Sequence, residues 1–350
     1  MTLYSGAPAP QFFALSPVNP RFSFGSLGGR YVMLGFLPPP GPEREAALAM
    51  VRARPDLFQD ERCVAFLVLP DPASFETARD IAPLRWFFDP EGEIRRLYDA
   101  EGPDGQVATR WVAIDPSQRV LGWTPLSQGP ALFETVMRMG PPEIHAGAPV
   151  TAPVLVVPRV FEPPFCQRLI DYYAATGGAP SGVMREKDGK TVPVLDDFKR
   201  RRDAAIMDAA LCDAALDRIR RRLVPEIAKA FQFHVTRIER YIVACYDAGE
   251  GGYFKPHRDN TTSATAHRKF AVSINLNAEA FEGGDLRFPE FGARTYRPPT
   301  GGAVVFSCSL LHEATPVTRG TRYAFLPFLF DEAGAALRAR NLHLLELAPT

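Results

Sequence analysis

Tyr253-Phe-Lys-Pro-His257-Arg-Asp259-Asn260 and, further on, Leu311-His312-Glu-Ala-Thr-Pro-Val-Thr-Arg-Gly-Thr-Arg322 are the stretches that decide how this 350-residue chain is read. Two neutral imidazoles and one carboxylate, here His257, His312 and Asp259, can occupy one face of an octahedral iron(II) ion. Three positions then stay open for a bidentate co-substrate and O2. Asp259 brings a hard anionic oxygen, while the histidines disfavour Mg2+ and Ca2+. Arg322 follows His312 by ten residues (322 − 312 = 10). A 2-oxo acid chelating iron through its oxo and C1 carboxylate groups presents a distal carboxylate, which a guanidinium fork matches bidentately. A single His-x-Asp is a weak signal, and a lone histidine is more often structural than a ligand. The ordered set with its arginine is what carries the reading.

The surroundings read as short strands. Glu239 to Tyr246 is β-branched and aromatic; Gly249, Gly251 and Gly252 turn the chain; Arg268 to Asn277 is a second strand; Phe281 to Pro289 is a turn and a third; and Gly301 to Phe306 leads to His312. Strands punctuated by Gly and Pro predict a closed or two-sheet antiparallel barrel. A jelly roll would bring His257, His312 and Arg322 together at its mouth.

On these residues the chain resembles the prolyl 4-hydroxylase-like branch of the iron(II)/2-oxoglutarate dioxygenases over residues 152–330. That span opens with a strand from Ala152 to Phe161 and a helix from Phe165. The resemblance implies an α+β double-stranded β-helix (jelly-roll) domain with iron ligands His257, Asp259 and His312 and a 2-oxoglutarate anchor at Arg322. Tyr246 stands where many members place a tyrosine that bonds the co-substrate. Asn275 stands where a second tyrosine is common, and its amide can donate to a carboxylate. Fe(2+), 2-oxoglutarate and O2 are the implied cofactor and co-substrates, with L-ascorbate as reductant. Because Asp259 is a carboxylate, hydroxylation of a C–H bond rather than halogenation is implied. The expected substrate is a prolyl residue in a protein or peptide; the alternative is a free amino acid or small metabolite. An answer of another class is an O2 or 2-oxoglutarate sensor or adaptor.

Residues 1–140 have a different rhythm. Tyr31 to Leu37, Cys63 to Leu69 and Arg110 to Asp115 read as buried strands, with helical patterns such as Glu43 to Val51 between them. Alternation of this kind predicts an α/β sheet. The opening from Gly6 to Leu15, with Arg85 to Gly92 and Ala113 to Ser117, resembles the thioredoxin-fold peroxiredoxins. Where that family places its peroxidatic cysteine, this chain has Pro38-Pro-Pro-Gly-Pro-Glu43. No side chain there can form a sulfenic acid or disulfide. A thioredoxin-like, redox-inactive domain over residues 1–140 is therefore expected, then a Pro/Gly-rich linker over 141–151, the oxygenase domain over 152–330 and a C-terminal extension over 331–350. The run from Arg200 to Leu223 has helical periodicity broken or restarted by Pro225, with its arginines expected on solvated faces. The loop from Thr261 to Ala266 is a candidate cover for substrate. His145, His234, His267 and His343 lack companions at ligand spacing and read as structural or solvated.

Composition bounds the partners. Lys+Arg and Asp+Glu are 40 each, so there is no bulk electrostatic case for nucleic acid or an anionic membrane. No apolar run reaches the roughly 20 residues that span a bilayer. The N-terminal stretch lacks the basic and apolar regions of a signal peptide. Five scattered cysteines with no CxxC fit reduced, buried thiols. A cytoplasmic protein acting on a protein, peptide or small-molecule substrate, with its oligomeric state open, is expected.

Overall fold

The structure is a computed structural model that describes residues 3–102 and 104–346. The first two residues of the N-terminal stretch and residues 347–350 of the expected extension lie outside the described residues. The chain divides into two compact units, Met1–Ala152 with Pro289–Ala293 and Pro153–Phe288 with Arg294–Thr350. Both are rich in sheet.

Among the described residues the first unit holds a seven-stranded mixed sheet, in the order Asn19–Ser23, Phe13–Ser16, Leu84–Phe88, Cys63–Leu69, Tyr31–Phe36, Arg110–Ile114 and Val120–Pro125. The three central neighbours from Leu84–Phe88 to Tyr31–Phe36 are parallel. Cys63–Leu69 and Tyr31–Phe36 are buried at every position, as strands covered on both faces must be, and this is why they read as unbroken apolar runs. The helix Pro42–Arg52 follows Tyr31–Phe36, with proline in its first turn, Glu43 and Glu45 near its N-terminus and Arg52 in its last turn. These residues suit the helix dipole at each end. Cys63 is fully buried, and desolvation pushes its thiol up to about 12.

In the second unit a helical layer packs on the larger of its two main sheets. The larger sheet runs Arg237–Glu239, Phe328–Phe330, Phe270–Asn275, Val317–Phe325, Ile242–Asp247, Arg202–Ala205 and Ala179–Pro180, with Ala303–Ser307 also paired to Phe270–Asn275. The smaller runs Lys199–Arg200, Tyr253–His257, His312–Ala314, Leu286–Arg287 and Thr295–Tyr296. Helices Pro163–Thr176, Ala209–Arg222 and Val224–Phe231 bury Phe165, Leu169, Leu211, Ala215, Ile219 and Ile227 in one core with Val243, Ile274 and Phe325 of the larger sheet. Among the described residues, no helix is long and apolar enough to cross a membrane.

Two local readings are corrected. Helix does not begin at Arg200: Lys199–Arg200 and Arg202–Ala205 are strands, and the helix starts at Ala209 behind Asp208, whose side chain accepts from the Leu211 amide. Ladder pairing outweighs helical propensity there, and Arg201 is buried, not on a solvated helix face. The strand expected from Ala152 to Phe161 is confined to Leu155–Val157, since Pro153 and Pro158 cannot donate to a ladder. The 261–266 loop is clasped: Glu186 accepts from the Ser263 amide and hydroxyl, at 3.2 and 3.0 Å, and Asn341 donates to the Ser263 carbonyl at 2.7 Å.

Candidate metal centre

The triad is assembled by strand register. Tyr253–His257 lies antiparallel to His312–Ala314, and His257 stands directly opposite His312. Phe254 is opposite Ala314, so a register shift intervenes; an unshifted ladder would put Pro256 across from His312. The irregularity thus selects an imidazole over a prolyl ring, and Pro256, having no N–H, is suited to such a position. Asp259 lies just beyond the strand, its amide bonded to the Cys308 carbonyl at 2.9 Å. The preceding turn depends on glycine: Gly251 has φ +65°, and a Cβ on Gly252 would come within 2.8 Å of Tyr246 Cα.

His257, Asp259 and His312 each offer a ligand atom, all within 4.8 Å of one another. His257 Nε2 is 3.6 Å from Asp259 Oδ1, and His312 Nε2 is 3.3 Å from Asp259 Oδ2. Each Nδ1 faces a backbone carbonyl, Lys255 at 2.7 Å and Leu310 at 3.0 Å. A carbonyl only accepts, so Nδ1 carries the hydrogen and the Nε2 lone pair is left facing the carboxylate, as metal ligation requires. The rings are fixed by packing: His257 stacks on Phe254 at 3.4 Å and His312 lies 4.5 Å from Phe306. Burial, with His257 alongside, pushes His312 down to about 4, keeping it neutral. Burial opposes ionisation of Asp259, but His312, His257 and Arg268 outweigh it and hold the carboxyl well below its usual range. Two imidazole Nε2 atoms facing an ionised carboxylate fit a divalent cation.

The triad opens onto a cavity lined also by Arg201, Arg240, Tyr246, Ser273 and Arg322. Arg322 stands opposite Tyr246 in the ladder, its Cζ 5.1 Å from the tyrosine ring centroid. It is 3% exposed, donates Nη2 to Ser273 Oγ at 2.8 Å and leaves Nε without a partner among the described residues. A buried guanidinium with one neutral hydrogen bond is poised for a carboxylate. Tyr246 lines the same cavity and its hydroxyl accepts from Arg201 Nη1 at 3.3 Å.

Asn275 is not among the cavity-lining residues; its amide donates to the Pro298 carbonyl at 2.9 Å. Ser273, two positions earlier on the same strand face, is the residue that meets Arg322. Sequence reasoning also missed Arg201, which pairs with Asp203 at 2.6 Å, and Arg240. The Arg201-x-Asp203 spacing on a strand was the available signal for the first of these. His267 bonds Glu239 at 2.7 Å and is not one of the three residues that offer a ligand atom.

Residues 241–330 match the family model described as the 2OG-Fe(II) oxygenase superfamily. A PKHD-type hydroxylase of Synechococcus sp. (strain JA-2-3B'a(2-13)) is 30% identical over 93 residues, covering 25% of this chain and 41% of that protein. The chain thus spans about two fifths of that relative's length. A PKHD-type hydroxylase of Xanthomonas campestris pv. campestris (strain B100) is 26% identical over 189 residues, covering 49% of this chain and 75% of that protein. Among solved structures, the viral collagen prolyl hydroxylase from Paramecium Bursaria Chlorella virus-1 in its 2OG complex is similar at 17% identity and TM-score 0.38, covering 50% of this chain and 94% of that one. The triad, Tyr246 and Arg322 all fall inside the segment that matches the 2OG-Fe(II) oxygenase superfamily.

Proposed function

We propose that residues 152–330 form a jelly-roll, iron(II)- and 2-oxoglutarate-dependent hydroxylase domain, with His257, Asp259 and His312 as metal ligands and Arg322 as the co-substrate anchor. The observation that carries this is the buried, carboxylate-free guanidinium of Arg322 facing the same cavity as the two inward Nε2 atoms and the Asp259 carboxylate. Iron(II), when bound, couples decarboxylation of 2-oxoglutarate to oxygen insertion, so that 2-oxoglutarate, O2 and R–H give succinate, CO2 and R–OH. The chain's own residues orient and exclude. The Lys255 and Leu310 carbonyls fix the ligand tautomers, and Ser273 and Tyr246 aim Arg322. Leu286, Phe306 and Phe328 give the cavity an apolar wall that keeps water from the reacting C–H bond. L-Ascorbate is the proposed reductant for enzyme left oxidised by uncoupled turnover. The relatives' name, PKHD-type hydroxylase, supports hydroxylation as the reaction; the proposed substrate is a prolyl residue in a protein or peptide, with a free amino acid or small metabolite as the alternative.

Residues 1–140 are proposed to be a thioredoxin-fold domain without redox chemistry. The parallel central strands, the helix following Tyr31–Phe36 and the absence of any thiol between Pro38 and Glu43 support this.

The test is succinate formation by the iron-loaded full chain, with mass spectrometry for +16 Da products in peptide and metabolite pools. Asp259→Ala is expected to abolish iron-dependent succinate formation and leave the circular dichroism spectrum intact, because the side chain lies beyond the end of its strand and outside the apolar core. Unchanged succinate output from that variant would sink the assignment.

A further inference from the structure

Two guanidinium groups line the cavity without a carboxylate partner among the described residues, Arg322 and Arg240. A 2-oxo acid held by the triad needs only one. Arg201, the third, is already neutralised by Asp203 at 2.6 Å, and nearby Arg268 by Glu239 at 2.7 Å. A divalent ion and a dianionic 2-oxo acid cancel each other, and the ionised Asp259 offsets Arg322, so Arg240 remains as the positive charge with no counterpart in the lining.

Arg240 is held in place from several sides. Its Nε and Nη2 both donate to the Leu326 carbonyl, at 3.2 and 3.1 Å, while Nη1 has no hydrogen-bond partner among the described residues. Its Cζ lies 4.5 Å from the Phe328 ring centroid, and Arg268 approaches the same ring at 4.0 Å. The backbone at Arg240 has φ +69°, in the break between Arg237–Glu239 and Ile242–Asp247. An L-residue resists that conformation, and strain of this kind is retained where a side chain must be aimed. Burial, with Arg201 and Arg268 close by, outweighs the attraction of Asp203 and Asp259 and pushes Arg240 down to about 10, so it stays cationic at neutral pH.

Arg240 does not duplicate Arg322. Leu326, which anchors it, is four residues past Arg322, roughly 13 Å of extended chain at about 3.3 Å per residue. A small diacid chelated at the metal and held by Arg322 leaves Arg240 to a second molecule.

We propose that Arg240 is a specificity-determining residue that binds a carboxylate of the primary substrate, so that this site hydroxylates an acid. The inference deepens, and rests on, the iron and 2-oxoglutarate reading above. Nη1 and the forked face of the guanidinium would take the carboxylate, while Leu286, Phe306 and Phe328 receive the C–H-bearing body.

The experiment is calorimetric titration of the full chain, loaded with iron(II) and saturated with 2-oxoglutarate without O2. The probes are sodium acetate and, as the neutral control, acetamide. Acetate should bind saturably and acetamide should not. Arg240→Gln should weaken acetate at least about tenfold, Arg240→Lys less, and neither should move 2-oxoglutarate affinity by more than about twofold. Free L-proline and tetraglutamate, titrated the same way, separate a free amino acid from a peptide acid: the source is whichever binds more tightly than acetate and loses that advantage in Arg240→Gln. Acetate binding that is absent from the wild type, or equal in Arg240→Gln with a wild-type circular dichroism spectrum, overturns the proposal. Failure of 2-oxoglutarate itself to bind would instead remove the reading beneath it.

Discussion

Replacing Arg322 by methionine separates a ligand-binding arginine from a structural one, because the two roles predict opposite signs. The guanidinium is 3% exposed, makes one hydrogen bond to the neutral Ser273 and has no carboxylate partner among the described residues. Burial lowers its pKa. An unpaired buried charge has an unrepaid desolvation cost, and an apolar side chain of similar length removes it, so Arg322→Met should stabilise the ligand-free protein by about 1–3 kcal/mol. For a unit of this size that is an increase of about 2–4 °C in Tm per kcal/mol. The co-substrate should suffer in the opposite direction. Loss of a bidentate, charge-assisted contact costs about 3 kcal/mol, roughly a hundredfold in Kd for 2-oxoglutarate. Calorimetric melting with and without 2-oxoglutarate, beside a binding titration, reads both. Wild-type protein should gain Tm from 2-oxoglutarate and Arg322→Met should not. A variant that melts well below wild type while keeping its affinity would refute the reasoning and make Arg322 a structural cation.

Glu239 gives a pH-dependent test: although burial opposes it, bonding to His267 and the charge of Arg268 bring its carboxyl down to about 2. A depressed carboxylate stabilises the fold above its unfolded pKa, and that contribution is lost as pH falls from about 4.5 towards 2, so Glu239→Gln should flatten the acid limb of stability by about 1–3 kcal/mol, measured by urea unfolding across that window. An unchanged acid limb would show the cluster to be incidental. In the first unit, Cys63 is fully buried with its thiol pushed up to about 12, so the chain should show no thiol peroxidase activity with any reductant. Peroxide reduction that disappears in Cys63→Ser would overturn the redox-inactive reading.

The legible parts of the molecule were those where residue type alone carries the information. Unbroken apolar runs such as Cys63–Leu69 announce a strand covered on both faces, and His-x-Asp with a distant His and Arg announces a donor set because so few chemistries use it. What stayed hidden depends on pairing. Lys199–Arg200 and Arg202–Ala205 share a helical apolar period with the helix that follows, and only their ladders with Tyr253–His257 and Ile242–Asp247 make them strands. Once Arg202 is paired to Cys245 and Ala204 to Val243, Arg201, one position before them, must leave the opposite face together with Asp203, which is how a cation in a basic run becomes buried. Asn275 and Ser273 share one face of their strand, so side-to-side alternation admits either beside Arg322, and only the third dimension shows that Ser273 reaches it.

Register also explains why the centre is sensitive to features that carry no ligand. His257 meets His312 only because the ladder shifts after Phe254; remove the shift and Pro256 takes its place while the imidazole turns to the other face. The turn that feeds this strand is held against Tyr246 by the close approach of Gly252, and the far end is pinned by the Asp259 amide on the Cys308 carbonyl. Between those two clamps the strand has five residues, Tyr253–His257, and one irregularity, so the residue count between glycine turn and carboxylate decides which side chains face the cavity. Deleting or inserting a single residue there would exchange a ligand for a neighbour without disturbing the larger sheet, and this is the physical reason a short segment can hold the chemistry of the whole unit.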